Sequence, residues 1–315
     1  MQRRSLLIAG ASLALLGGCA TQTAALRFGA VEGLPRRAEL VDTPFFPQDQ
    51  RYLCGPESLA AVLQATGLAV TPPDLVPQVY VPGRQGSLQA EMLAATRRQG
   101  AVAYVLPPRL EALLREVAAG TPVVILQNLG LQWAPTWHYA VVVGYDLDEG
   151  LVLLRSGPVR RQEMALRTFE HTWARSDHWA FVALAPGRLP ATVGEAEAVR
   201  SLVAFERVAP PALAVRAYET ALTRWPGVLT LQMGLGNALH AAGRKAEAAE
   251  CFEAAARQHR HAAAWINLGT VALELGQRTR AEAAAREAVA LGGAWSTQAR
   301  ELQARLQANG RGPLR

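Results

Sequence analysis

Two segments in the last third of this 315-residue chain superpose at a fixed offset. Leu235, Gly236, Gly243, Ala248, Phe252 and Ala255 form one copy; Trp265, Leu268, Gly269, Gly276, Ala281, Ala285 and Ala288 form the other. Gly236 to Gly269 and Gly243 to Gly276 are both 33 residues apart. Small residues recurring in register let neighbouring helices approach closely, and a unit of this kind cannot bury its apolar face alone. The chain must therefore stack consecutive helices here. Strand signals stop near Pro186-Gly187-Arg188-Leu189-Pro190, which marks the boundary of this region. A weaker copy with Ala214, Tyr218, Ala221 and Pro226 precedes the two, and Trp295 to Ala308 predicts a capping helix.

This pattern resembles the tetratricopeptide repeat, a helix-turn-helix unit of about 34 residues for which roughly three copies are needed for stability. The resemblance implies a solenoid over residues 195–310 that binds a peptide or protein partner. The length itself leaves room for a second domain upstream. Half of the residues are hydrophobic, enough to fill its core.

The N-terminus reads as a targeting segment. Met1-Gln2-Arg3-Arg4 is positive, and Ser5 to Leu16 is apolar but too short to span a bilayer as a helix. It ends in Leu16-Gly17-Gly18-Cys19, followed by Ala20-Thr21-Gln22. A small-small-Cys end to an apolar stretch resembles a bacterial lipoprotein signal. That resemblance implies a signal peptide over 1–18, cleavage before Cys19, lipidation of Cys19, and a tether over 19–42. Ala20 resembles an outer-membrane sorting signal, so the expected location is the periplasmic face of the outer membrane. Removing Arg3 and Arg4 takes the formal net charge from +6 to +4, with no basic block interleaved with aromatics, so no nucleic-acid partner is expected. No Cys-x-x-Cys, His-Glu-x-x-His or Gly-rich phosphate loop is present, and neither a metal nor another cofactor is expected.

Residues 43–188 carry a different pattern. Cys54 to Thr66 predicts a helix with Leu59, Val62 and Leu63 inward and Gly67 as its stop. Ser87 to Arg98, with Leu88, Met92 and Leu93 inward, and Pro108 to Ala119 predict two more. Thr71 to Val81 is a segment broken by prolines. Ala101 to Leu106, Val123 to Leu126, Tyr139 to Tyr145, Leu151 to Leu154 and Trp179 to Leu184 predict strands. Helices followed by an antiparallel sheet fit an α+β domain.

The chemistry concentrates on one cysteine. Of three cysteines, Cys19 is reserved for lipid and Cys251 sits beside Phe252 on a repeat helix, as a packing residue would. Cys54 opens its helix, where the dipole favours a thiolate, the nucleophilic form. His138 opens a strand from another part of the domain, as a spatially adjacent base would. Gln48, six residues before Cys54, and the Cys54 backbone N–H can act as oxyanion donors. Gln50 is the competing glutamine. Asp146 and Asp148 read as solvated turn residues. His171 and His178 flank Trp173 and read as structural.

Gln48, Cys54-Gly55-Pro56 and His138-Tyr139-Ala140-Val141-Val142-Val143-Gly144-Tyr145 resemble the papain-like cysteine peptidases that remove double-glycine leaders from bacteriocin precursors. Over residues 43 to 186 the resemblance implies a papain-like fold, with Gln48 as oxyanion side chain, Cys54 as nucleophile and His138 as base. The family orients its histidine with an Asp after the next strand; here that place holds Ser156. Three arrangements stay open: Ser156 as the orienting group, a dyad with no third member, or a carboxylate elsewhere. The expectation is an α+β papain-like domain followed by an all-α repeat solenoid, acting as a lipid-anchored periplasmic cysteine peptidase on a peptide or protein. The alternative is an inactive peptidase-like scaffold working through its repeats.

Overall fold

The computed structural model describes residues 22–28, 31–47 and 52–310. In chain order the first part contains α1 (Gln22–Phe28), β1 (Arg37–Glu39), α2 (Cys54–Ala65), α3 (Pro72–Val79), β2 (Tyr80–Val81), β3 (Gly86–Ser87), α4 (Gln89–Arg98), β4 (Val102–Val105), α5 (Leu110–Ala118), β5 (Val123–Asn128), β6 (Trp137–Asp146), β7 (Leu151–Ser156), β8 (Val159–Ala165), α6 (Leu166–Ala174) and β9 (Ala180–Leu184). Seven helices follow: α7 (Glu195–Glu206), α8 (Pro211–Arg224), α9 (Leu229–Ala241), α10 (Lys245–His259), α11 (Ala262–Glu274), α12 (Arg278–Leu291) and α13 (Ser296–Gly310). The chain divides into two compact units, residues up to 92 with 105–182, and residues 93–104 with those from 183 onward. This division differs from the expected span of 43–188 for the first domain in that 93–104 groups with the helices. Within that unit Arg97 feels the charge of Glu197, and a Cβ on Gly100 would touch Leu213. Among the described residues no helix is long and apolar enough to cross a membrane.

The α+β architecture is as expected from the pattern. The sheet runs β4-β9-β5-β6-β7-β8, and β1 pairs with β6. β6 is its centre: Val123 to Asn128 pair with Val142 to Trp137, and Leu151 to Arg155 pair with Asp146 to Val141 across a bulge. Strands buried on both faces read as continuous apolar runs, which is why Val123–Leu126 and Ala140–Val143 were legible. Against the opposite limit, β8 was not. Its residues Val159-Arg160-Arg161-Gln162-Glu163 are mostly exposed at a sheet edge, where charge guards unpaired backbone.

Three other segments depart from expectation. Residues 19–42 were expected as a tether, yet they contain α1 and β1. The buried carboxylate of Glu170 accepts from the Gln22 and Thr23 backbone N–H groups at 2.6 and 2.9 Å and so caps α1, as an anion at a helix start should. Arg37–Glu39 pairs with Asp146–Gly144, extending the sheet beyond the end of β5. The proline-broken stretch is α3: Pro72 and Pro73 occupy first-turn positions that need no N–H, and Thr71 with Asp74 closes a capping box. Leu88, expected inward, is 46% exposed, because the helix expected from Ser87 starts two residues later, at Gln89, and Ser87 belongs to β3.

In the helical unit the recurring glycines have two distinct causes. Gly243 and Gly276 follow α9 and α11 with φ of +78° and +72°, left-handed helix stops. Gly236 marks close approach instead, since a Cβ there would lie 2.4 Å from the Phe252 ring. This makes a sign test possible. Gly→Ala in an unobstructed helix gains about 0.5–1 kcal/mol, whereas overpacking costs about 1–3 kcal/mol. Gly236→Ala should destabilise the protein by about 1–2 kcal/mol in urea unfolding; stabilisation would contradict the packing.

Candidate active site

Cys54 is the first residue of α2. Leu53 at the cap offers no side-chain hydrogen bond, so the first-turn N–H groups stay available. Three backbone N–H groups address the Cys54 sulfur: those of Tyr139 on β6, Gly55 and Cys54 itself. The start of α2 packs tightly on β3. A Cβ on Gly55 would fall 2.2 Å from the Ser87 hydroxyl oxygen, so no larger residue fits between Cys54 and Pro56 without movement. Tyr139 closes the arrangement from the other side, its hydroxyl donating to the Ser87 carbonyl at 3.2 Å.

His138 is the second residue of β6. Its Nε2 lies 2.9 Å from the Ser156 hydroxyl at the end of β7. With Nε2 carrying the proton, Ser156 accepts and Nδ1 is left as the basic nitrogen. Cys54 and His138 line one cleft of about 940 Å³. Burial pushes the Cys54 thiol above its ordinary 9.0, and the charge of Glu57 adds to this, outweighing the three N–H groups. Burial likewise holds the His138 imidazole below its ordinary 6.5. The helix-start expectation of a lowered thiol pKa is thus reversed. Desolvation wins over the dipole, and both groups rest neutral at pH 7.

The structure places the remaining expected residues as follows. Ser156 is buried and touches His138, as an orienting residue must. Gln48 and its competitor Gln50 lie outside the described residues, as does Cys19. Asp148 is a turn residue and Asp146 the last residue of β6: Asp146 accepts from the Asp148 and Glu149 N–H groups of the turn, and both pair with arginines of the 36–37 segment. His178 packs edge-on against Trp173 at 4.8 Å. Cys251 donates to the Gln232 carbonyl at 3.3 Å, and burial pushes its thiol to about 11. Cys54 and Cys251 are both free thiols. Among the described residues no cluster of His, Cys, Asp and Glu is arranged to hold a metal.

Two residues of the site were not singled out by the sequence. Arg155 is buried, and its guanidinium donates to the carbonyls of Leu40, Val41, Thr43 and Arg160. It ties the end of β7, and with it Ser156, to the segment that leads towards residue 48. A lone arginine in a strand gives no local sign of such a role. Arg175 donates to the carbonyls of Asn128 and Gly130, and the Asn128 side chain accepts from the Gly130 and Thr136 N–H groups. These bonds hold the loop between β5 and β6, which carries Trp133, 83% exposed, beside the cleft-lining Trp137.

Residues 40–180 match the model of the Peptidase_C39 like family, and residues 204–259 and 241–299 match that of the tetratricopeptide repeat. No curated protein matches the chain. Among solved structures, a candidate C39-like peptidase from Bacillus anthracis is 19% identical, covering 48% of this chain and 98% of that one, with a TM-score of 0.41. A double glycine motif protease from an AMS/PCAT transporter, in complex with the leader peptide, is 18% identical over 45% of this chain and 91% of that one, TM-score 0.35. YrrB, a tetratricopeptide-repeat protein with an unusual peptide-binding site, is 26% identical over 36% of this chain and 59% of that one, TM-score 0.32. The chain thus joins a peptidase C39-like domain, over residues 40–180, to tetratricopeptide repeats over residues 204–299.

Proposed function

We propose that the first domain is a cysteine peptidase that hydrolyses a peptide or protein amide bond. The observation that carries this reading is the placement of a free thiol at the start of α2 and an imidazole, held through Nε2 by Ser156, on one cleft. In the first step His138 Nδ1 takes the Cys54 proton as the sulfur attacks the amide carbon. The developing oxyanion is met by the backbone N–H of Cys54, with Gln48 as the proposed second donor. His138 then gives its proton to the leaving amine, which departs and leaves a thioester on Cys54. Water attacks the thioester, His138 accepts its proton, and the acid leaves as the thiol is restored.

The neutral resting state fits this sequence. A half-buried thiol held in its protonated form is a poor nucleophile until a base removes its proton, so Cys54 stays unreactive until a substrate carbonyl is in place. The cleft suits an extended peptide with bulky side chains. Tyr52, Leu88 and Trp137 line it and are all partly exposed. The repeats would bring the substrate or a partner protein to it.

One observation favours the second reading, a binding module without turnover. Ser156 is uncharged, and among the described residues it is a hydroxyl, not a carboxylate, that meets His138 Nε2. The two readings separate on a peptide mixture resolved by mass spectrometry. The peptidase reading predicts cleavage that Cys54→Ala abolishes and that His138→Ala reduces by at least about a hundredfold. Cleavage unchanged in Cys54→Ala, or absent from the wild type, would sink it. Ser156→Ala should slow turnover while leaving KM nearly unchanged, since the hydroxyl orients the base rather than the substrate.

The targeting features complete the proposal: Cys19, lipidated, would anchor the protein on the periplasmic face of the outer membrane. Motivation comes from Leu16-Gly17-Gly18-Cys19-Ala20. Intact-mass measurement of protein from a bacterial membrane fraction should show a mature chain starting at an acylated Cys19; an unmodified or uncleaved chain would rule the anchor out.

A further inference from the structure

A buried amide lies beside His138 and has no task in the steps above. Gln127 on β5 is the cross-strand partner of His138 on β6. Directly opposed residues of an antiparallel pair share a sheet face, with Cβ atoms about 4.5–5.5 Å apart. Gln127 is completely buried. Its Nε2 donates to the Thr172 hydroxyl on α6 at 2.6 Å, and its Nε2 also lies 3.8 Å from the Met164 sulfur. Thr172 in turn donates its own proton to a carbonyl of α6, Phe169 at 2.9 Å or Thr168 at 3.1 Å. The hydroxyl is therefore an acceptor toward Gln127, which fixes the amide with its nitrogen on Thr172. The other end of the amide, Oε1, is buried with no hydrogen-bond partner.

An orphaned buried carbonyl costs stability, and its retention calls for an explanation. We propose that Gln127 is a positioning residue for His138: its fixed amide dipole, negative end free, stabilises the imidazolium that forms when His138 takes the Cys54 proton. This deepens the peptidase reading and rests on it. The gap it fills is the one left by Ser156, whose hydroxyl orients the ring but brings no negative charge. A neutral dipole does part of what a carboxylate would do without adding a permanent charge to a buried site. At rest the imidazole is neutral and Oε1 has nothing to act on; the interaction strengthens only as the proton moves, which is where it lowers the barrier. The titratable and charged groups that line the cleft with His138 are Tyr52, Cys54, Arg84, Tyr139, Arg175 and Asp177.

The test compares Gln127→Met, which keeps the side-chain length without the dipole, and Gln127→Glu, which adds a charge at the same place. Two readouts are taken on the full chain. One is the pH dependence of Cys54 labelling by a peptidyl acyloxymethyl ketone; the other is the NMR titration of the His138 imidazole. Gln127→Met should slow labelling at saturating probe by about tenfold with an unchanged half-saturating concentration, and move the acidic limb to lower pH. Gln127→Glu should move the limb and the imidazole titration to higher pH. A merely structural role would move neither. Should Gln127→Met fail to fold, judged by circular dichroism, Gln127→Glu alone decides. An imidazole titration unchanged in the folded variant or variants overturns the proposal. The titration needs no catalysis, so it decides on Gln127 even where wild-type labelling fails and the peptidase reading falls with it.

Discussion

The meeting of the α2 start with β6 is the contact on which the candidate site depends. One backbone N–H, that of Tyr139, reaches the Cys54 sulfur, while the Tyr139 hydroxyl holds the Ser87 carbonyl and Ser87 packs against Gly55. Three segments distant in sequence are locked within a few ångströms, and His138 is the next residue along β6. Closeness of this kind partly excludes water, leaving Cys54 and His138 half-buried. Exclusion then sets the protonation states, because desolvation penalises thiolate and imidazolium alike. The local donors at the helix start do not reverse that outcome. They matter later, when charge develops on sulfur and oxygen and fixed N–H groups need no reorganisation to meet it.

A neutral pair raises the demand on whatever supports the imidazolium. In this chain the flank of His138 is built from uncharged groups, the Ser156 hydroxyl on β7 and the Gln127 amide on β5. The one strong charge nearby in sequence, Arg155, is turned away and spends its hydrogen bonds on backbone carbonyls, so its cation does not oppose the imidazolium through a direct bond. Buried guanidinium groups demand such saturation. The result is a stiff end to β7, which is what a hydroxyl needs if it is to orient a ring without electrostatic attraction to help.

Much of this was legible from the chain itself, and the rest was hidden for identifiable reasons. Cys54 at a helix start, His138 at a strand start and Ser156 in the Asp position were read from spacing, and the last two prove to be in contact. The repeat helices were read from glycines in register, whose separate causes, close approach at Gly236 and left-handed stops at Gly243 and Gly276, only the coordinates distinguish. β8 was hidden because an exposed edge strand has no apolar alternation. α3 was hidden because three prolines outweighed a capping box of two residues, Thr71 and Asp74. α1 and β1 were hidden because their partners, Glu170 and β6, lie more than a hundred residues away. Gln127 was hidden within an apolar run; its significance is a matter of which neighbour lies across the strand. The thiol's protonation state was misread for the same reason, since a helix dipole is visible in sequence and desolvation is not.

The central claim is that a neutral, half-buried thiol becomes a nucleophile only through His138. The most direct measurement is the rate of Cys54 acylation by an activated thioester, with the site assigned by mass spectrometry, from about pH 5 to about pH 10 in the wild type and in His138→Ala. Burial lowers the imidazole pKa, so its basic form persists below 6.5, and the wild-type rate should hold through neutral pH and fall only in more acidic solution. Without His138 the rate should be small at neutral pH and climb past 9.0, where the isolated thiol ionises. A neutral-pH rate that is the same in both proteins would contradict the account.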